Sequence, residues 1–179
     1  ATLGENVVAL ARNIGYVPRS RRASRARISF NVSGLIETST LTLNSGIVCN
    51  GAGSNTNFIF CIPEDITVPV VNGVAQFNNI EIFEGNFVSQ SFIVDTTLFN
   101  QKFILDNSFI DTSTIKVKVK ASTTSTSTVT YKQIDNIVGI TSTSSSYLLQ
   151  EVEDERYELI FGDNVIGKKL SNNNEITVS

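Results

Sequence analysis

Ile66-Thr67-Val68-Pro69-Val70-Val71-Asn72-Gly73-Val74 sets the reading of the whole chain. Ile66, Val68 and Val70 recur at every second position, the period of a strand with one buried face. Pro69 offers no N–H, which puts it at a sheet edge or a strand end. Asn72-Gly73 suits a type I′ turn, whose central residues need positive φ and whose twist matches that of paired strands. An alternating run that closes in such a turn predicts a hairpin, and a β fold around it.

Working outward, the same period returns on both sides. Ile28, Phe30 and Val32 alternate with Arg27, Ser29 and Asn31, and Leu41 and Leu43 with Thr40 and Thr42. Phe58-Ile59-Phe60-Cys61-Ile62 is a continuous apolar run, expected as a strand buried on both faces. Gly51-Ala52-Gly53-Ser54, within the segment 46–53, reads as a loop. Downstream, Ile80-Glu81-Ile82-Phe83 and residues 87–94 flank Glu84-Gly85-Asn86. Ile115, Val117 and Val119 alternate with Lys116, Lys118 and Lys120, whose charges would guard a sheet edge. Val129–Tyr131, Tyr147–Val152, Tyr157–Phe161 and Ile176–Val178 read as four more strands, with turns at Gly162-Asp163-Asn164 and Asn172-Asn173-Asn174. Seven of the eleven phenylalanines fall between Phe77 and Phe109, which places the main core there.

Strand signals about every ten residues predict a mainly β chain, a β-sandwich or barrel. One short helix is expected ahead of it, over residues 2–14. Thr2-Leu3-Gly4-Glu5 matches a capping box, Leu3, Val7, Leu10 and Ile14 form one stripe, and Gly15 and Pro18 stop it. The expected organisation is a helix plus Arg-rich arm over 1–26 and a main β domain over 27–121. A Ser/Thr linker over 122–128 would follow, then a second β subdomain over 129–179, truncated at its end. The chain opens on Ala1 and has no Met, and we read it as a piece of a longer protein.

Charged residues make up only 17% of the chain, and the net charge of -3 hides a split. Residues 1–27 hold six arginines and one acid, a net of +5, which leaves -8 on the rest. Glu151 to Asp163 carry six acids and one base, a net of -5. Such asymmetry suggests a charged partner or a second copy packed head to tail. No apolar run approaches the roughly 18 residues of a membrane-crossing helix.

The chemistry of catalysis is thin. Without His there is no Ser-His-Asp triad, no Cys-His pair and no His metal ligand. No phosphate-cradling Gly-rich motif ending in Lys is present. The acids Glu151, Glu153, Asp154 and Glu155 could be tested as a glycosidase pair, but acids so closely spaced on one segment read as a solvated face. Asp163-Asn164-Val165-Ile166-Gly167 lacks the repeated oxygen ligands of a calcium loop. Cys49 and Cys61, in a chain with no secretion signal, read as free thiols. We expect no enzyme activity, no cofactor, no metal and no small-molecule substrate.

The run Arg19-Ser20-Arg21-Arg22-Ala23-Ser24-Arg25 has three readings: phosphate binding, pairing with acidic protein surfaces, or a solvated loop. A remainder at -8 would repel a nucleic acid, and Tyr16 is the only aromatic close by, so protein contact is favoured. The expected partner-binding residues are Arg19, Arg21, Arg22 and Arg25, with Glu151, Glu153 and Glu155 as acidic counterparts.

Two stretches resemble one family. Gly15-Tyr16-Val17-Pro18 followed by the Arg/Ala/Ser run and the strand to Phe30 is similar to the baseplate J-like family, the wedge proteins of contractile phage tails. Tyr157-Glu158-Leu159-Ile160-Phe161-Gly162-Asp163-Asn164-Val165-Ile166-Gly167 resembles that family's Phe-Gly-Asp turn. Many members have Gly where Asn164 stands, and Asn also tolerates left-handed geometry. The resemblance rests on these two stretches, residues 15–30 and 157–167. It implies a structural subunit of the virion tail baseplate, assembled in the host cytoplasm. Its partners would be other copies of itself and other wedge subunits, with no nucleic acid or membrane. Gly15, Pro18, Gly162, Asp163, Asn164 and Gly167 would be its structural turn residues. The runner-up from the residues alone is a non-catalytic carbohydrate- or receptor-binding adhesin module.

Overall fold

The computed structural model describes residues 22–53 and 55–179. The expected helix over 2–14, with Gly15, Pro18, Arg19 and Arg21, lies outside them. The described chain is mainly β, in two sheets, each within its own compact unit.

The first unit, Ala23–Val88, holds six strands. They are β1 (Arg25–Ser33), β2 (Thr40–Leu43), β3 (Gly46–Ala52), β4 (Asn57–Ile62), β5 (Ile66–Val71) and β6 (Val74–Glu84). Asn72 and Gly73 have φ of 52° and 73°, as the type I′ hairpin requires. β6 organises the sheet: β1 runs along one edge from Ser33↔Val74 to Arg25↔Phe83. The other edge is shared by β5 at its start and β4 at its end. The β5–β6 ladder stops after Val70, where Pro69 has no N–H to continue it.

Partway along β6 one extra residue interrupts the register with β1. Asn79 takes it up at φ 55°, and its N–H donates to Ser29 Oγ at 2.9 Å. This bulge lets Phe77, Ile80 and Ile82 all face inward although strict alternation would turn one set outward. They pack with Ile62 and Ala75 against the inward residues of β1, β2 and β5. Phe77 is stacked on Phe30 at 4.9 Å.

Two expectations need correction here. β4 is buried on both faces only at its end, at Cys61 and Ile62; earlier in the strand Phe58 and Phe60 are half-buried while Ile59, on the other face, is exposed. The segment read as a Gly-rich loop is strand β3, paired with β4. Of its two glycines, Gly51 is a packing device, since a Cβ there would sit 3.0 Å from the Phe60 ring.

The second unit contains Ser89–Ser179, with seven strands. They are β7 (Gln90–Ile93), β8 (Phe103–Leu105), β9 (Val117–Lys120), β10 (Thr128–Gln133), β11 (Ser146–Glu151), β12 (Tyr157–Phe161) and β13 (Glu175–Val178). Their order is β7-β13-β9-β10-β11-β12-β8, antiparallel except for a short β10–β11 pairing. The sheet nearly closes into a barrel. Where β7 and β8 meet, the Gln90 amide replaces the missing ladder: Nε2 donates to Ile104 O and Asp106 Oδ2, and Oε1 accepts from Asp106 N. Inside lie Val117, Tyr147, Leu159 and Ile176, with Phe161 edge-on to Phe103 and Tyr131.

The lysine-bearing strand is therefore interior, between β13 and β10, rather than a guarded edge. The Ser/Thr run 122–128 is the hairpin loop between β9 and β10 and the start of β10, so the units divide at Val88/Ser89 instead. The phenylalanine-rich span is not one core either. It divides between the units, and Phe99 and Phe109 are exposed.

Among the described residues the only helical turns are Thr112–Thr114 and Glu153–Glu155. The second is left-handed: Asp154 and Glu155 have φ of 62° and 56°, the central pair of a type I′ turn. Glu is costly there because its Cβ crowds the backbone. Glu155→Gly creates the favoured Asp-Gly pair and is expected to raise stability by roughly 0.5–1 kcal/mol after the unfolded-state entropy of glycine is subtracted. Urea unfolding checks this; a lowered midpoint would show that the Glu155 side chain supports the turn.

Candidate functional site

Of the arginine run, Arg22 and Arg25 are described, and both are exposed. Arg25 is engaged in its own sheet. Its guanidinium lies 3.7 Å from Glu81 and 4.9 Å above the Phe83 ring: the ring takes the planar face in a cation–π contact, while Glu81 lies close to one of the N–H groups through which carboxylates bind.

The acidic stretch occupies the tip of the β11–β12 hairpin. Glu153, Asp154 and Glu155 are exposed, and Glu151 is half-buried at the end of β11. Val152 N donates to Arg156 O, closing the tip, and Arg156 reaches Asp154 at 3.9 Å. The Tyr157 phenol, pushed up first by burial, is pushed further by the charges of Glu151 and Glu155.

At the opposite end of the same hairpin lies the turn after Phe161. Asp163 Oδ1 accepts from both Val165 N and Ile166 N at 2.8 Å. Those bonds, Ile166's first, hold its carboxyl below the usual carboxylate range. Asn164 sits at φ 70°, and its Oδ1 accepts from Lys169 N. Gly167 is also left-handed, at φ 82°. Gly162 is not; it is required because its missing Cβ would lie 2.1 Å from the Gly167 carbonyl carbon. The turn is tied to the β10–β11 connection by Gly167 N→Thr141 O and Lys168 N→Ser144 O.

These well-bonded loops display apolar tips, which the sequence reading had missed. Phe99 is 96% exposed, Val138 84% and Val165 73%, with Leu98, Ile137 and Ile166 beside them in the chain. The Phe99 loop is not slack. Asp95 Oδ1 accepts from Thr97 N and Oγ1, Asp95 N donates to Gln101 Oε1, and Thr96 N donates to Asn172 Oδ1. Asp95-Thr96-Thr97 is the available signal, since Asp capping its own backbone two residues on marks a turn rather than a core strand.

Between this loop and β12 opens a cleft of about 570 Å³, with Leu98, Lys102 and Lys169 in its lining together with Asp95, Glu158 and Gly162. Among the described residues no three His, Cys, Asp or Glu side chains are grouped to hold a metal ion. Cys49 and Cys61 are free; burial pushes the Cys61 thiol up, which disfavours the reactive thiolate. Comparison with protein-family models and with curated proteins finds no match.

Proposed function

We propose that this chain is a non-catalytic structural module of a contractile phage tail baseplate, working by contact with other wedge subunits. The family reading rests on the resemblance of the Gly15–Phe30 and Tyr157–Gly167 stretches. The observation that carries a contact role is the set of apolar tips on hydrogen-bonded loops, with Phe99 almost wholly exposed. A preorganised aromatic in solvent is poised to bury its surface against a partner without an ordering cost. Arg19, Arg21 and Arg22 add charge for acidic neighbours, whereas Arg25 is already engaged at Glu81.

The test is co-sedimentation of the chain with purified baseplate wedge subunits. Binding is expected, and Phe99→Ser is expected to weaken it about tenfold or more, as loss of a buried aromatic anchor does. Binding to glycans in an array, with none to any wedge subunit, would overturn the reading in favour of an adhesin module.

A further inference from the structure

The sequence carries the Asn-Gly pair twice, at Asn50-Gly51 and at Asn72-Gly73. This pair readily loses the side-chain amide, because glycine has no Cβ to hinder its own nitrogen. The Gly N, deprotonated by solvent base, attacks Asn Cγ. An N–Cγ bond forms, the Cγ–Nδ2 bond breaks, and Nδ2 leaves as ammonia. Water then opens the five-membered imide. Cleavage at Cγ gives Asp; cleavage at the main-chain carbonyl gives isoaspartate, whose backbone is one carbon longer. The attack needs a backbone conformation at Asn that is neither an extended strand nor a left-handed turn. Both pairs must therefore open first, and the fold decides which of them does.

Asn72-Gly73 is held by three strands. Val74 pairs with Val71 on one side and with Ser33 on the other. Gly73 O accepts from Leu35 N at 3.1 Å, and Ala75 just beyond is fully buried. Asn50-Gly51 lies near the end of the β3–β4 hairpin. β3 is the last strand on its side of the sheet, and β4 keeps its ladder to β6 only at Phe60 and Cys61. Outward of Phe60, among the described residues, 50–52 and 57–59 pair with each other, with one further bond from Gly85 N to Ile59 O. The Phe60 ring covers the inner side of Gly51, while Asn50 is exposed. A two-stranded ribbon is marginal by itself, and such ends open at a lower free energy than the core does.

We propose that Asn50 is the site at which the folded chain deamidates, and that the β5–β6 hairpin shields Asn72. Isoaspartate at this position lengthens β3 by one backbone carbon and adds a negative charge. The register is then lost outward from Asn50, while Ile62, Phe77 and Ile82 stay packed in the core of the same unit.

The test incubates the whole chain at mildly alkaline pH, folded and, in parallel, in urea. Cleavage after glutamate separates Asn50, in peptide 38–64, from Asn72, in peptide 65–81, and mass spectrometry follows Asp and isoaspartate in each. In urea the two should react at similar rates, because the dipeptide is the same. In the folded chain Asn50 is expected to react at least about tenfold faster than Asn72, as opening free energies about 1.4 kcal/mol apart would give. Amide hydrogen exchange should likewise be faster over 50–52 than over 74–76. Asn50→Gln, whose longer side chain closes the ring far more slowly, should remove most of the product formed in the folded state. Equal rates at the two sites, faster loss at Asn72, or an Asn50 that reacts in urea and not in the folded chain overturns the proposal. So does an Asn50→Gln variant that releases ammonia as fast as wild type.

Discussion

Replacing Gly162 with Val is expected to destabilise the 89–179 unit by roughly 3–5 kcal/mol, at the severe end for a single substitution. The reason is not conformational freedom, because Gly162 has no left-handed φ. A Cβ at this position would lie 2.1 Å from the carbonyl carbon of Gly167 and 2.2 Å from its oxygen. Both are backbone atoms, so no side-chain rotation relieves the overlap. The 163–168 turn would have to move, and three hydrogen bonds depend on its place: Asn164 N→Gly167 O, Gly167 N→Thr141 O and Lys168 N→Ser144 O. Each contributes about 0.5–1.5 kcal/mol net, and the displaced Phe161 side chain adds lost packing against Phe103 and Tyr131. Since the Cβ alone causes the clash, Gly162→Ala should cost nearly as much as Val, and Gly162→Asn should not rescue. Asn164→Gly, at a left-handed position, should by contrast be mild. Denaturant unfolding of the four variants decides it: an Ala variant within about 1 kcal/mol of wild type would mean the turn is not held against Gly162.

This residue also shows how far the sequence is legible. The Phe-Gly-Asp-Asn spacing marks a turn, and Asn164 does adopt the left-handed conformation that Asn tolerates. Nothing in the string says that Gly162 and Gly167 touch, because close approach is a tertiary fact. Strands were legible where a one-sided pattern runs over many residues, as in β1, with Ile28, Phe30 and Val32 turned inward, and not in the three-residue β8. They were not legible where glycine makes room for a neighbouring ring, as Gly51 does for Phe60 in β3.

The division into units was hidden for a related reason. A run of Ser and Thr has the composition of a linker, yet at 122–128 it joins two strands of one sheet, with Ser125 N bonded to Ser122 O in the loop. Hydroxyl side chains bond local backbone in turns as readily as they face water in linkers, so composition does not separate the two. The exposed apolar tips were hidden because apolarity was taken as burial. Phe99 stands in a segment dense in phenylalanine, yet it follows the turn in which Asp95 caps Thr97 and is almost wholly exposed. The acidic tip was legible as a solvated face, whereas its left-handed turn was not, since Asp-Glu is a poor match to the residues such turns favour.

Alkaline pH is expected to destabilise the same unit through Tyr147. Its ring is 2% exposed in the barrel interior, and burial pushes its phenol up to about 12. An unfolded chain would ionise the same phenol near its ordinary value of 10.0. Below pH 10 both states keep the proton, and Tyr147 contributes its full packing. Between about 10 and 12 the unfolded state loses the proton while the folded state cannot, so stability falls as pH rises through that window. A difference of two pKa units corresponds to about 2.7 kcal/mol. Tyr131 and Tyr157, also raised chiefly by burial, push in the same direction. Tyr147→Phe keeps the ring and removes the ionisable group. It should therefore leave stability at neutral pH little changed and flatten the decline above pH 10 by most of that amount. Urea unfolding at stepped pH, with phenolate absorbance followed in parallel, measures both. If wild type and Tyr147→Phe lose stability along the same curve, or all phenols titrate near 10 while the chain stays folded, the phenol of Tyr147 is not shielded in the barrel.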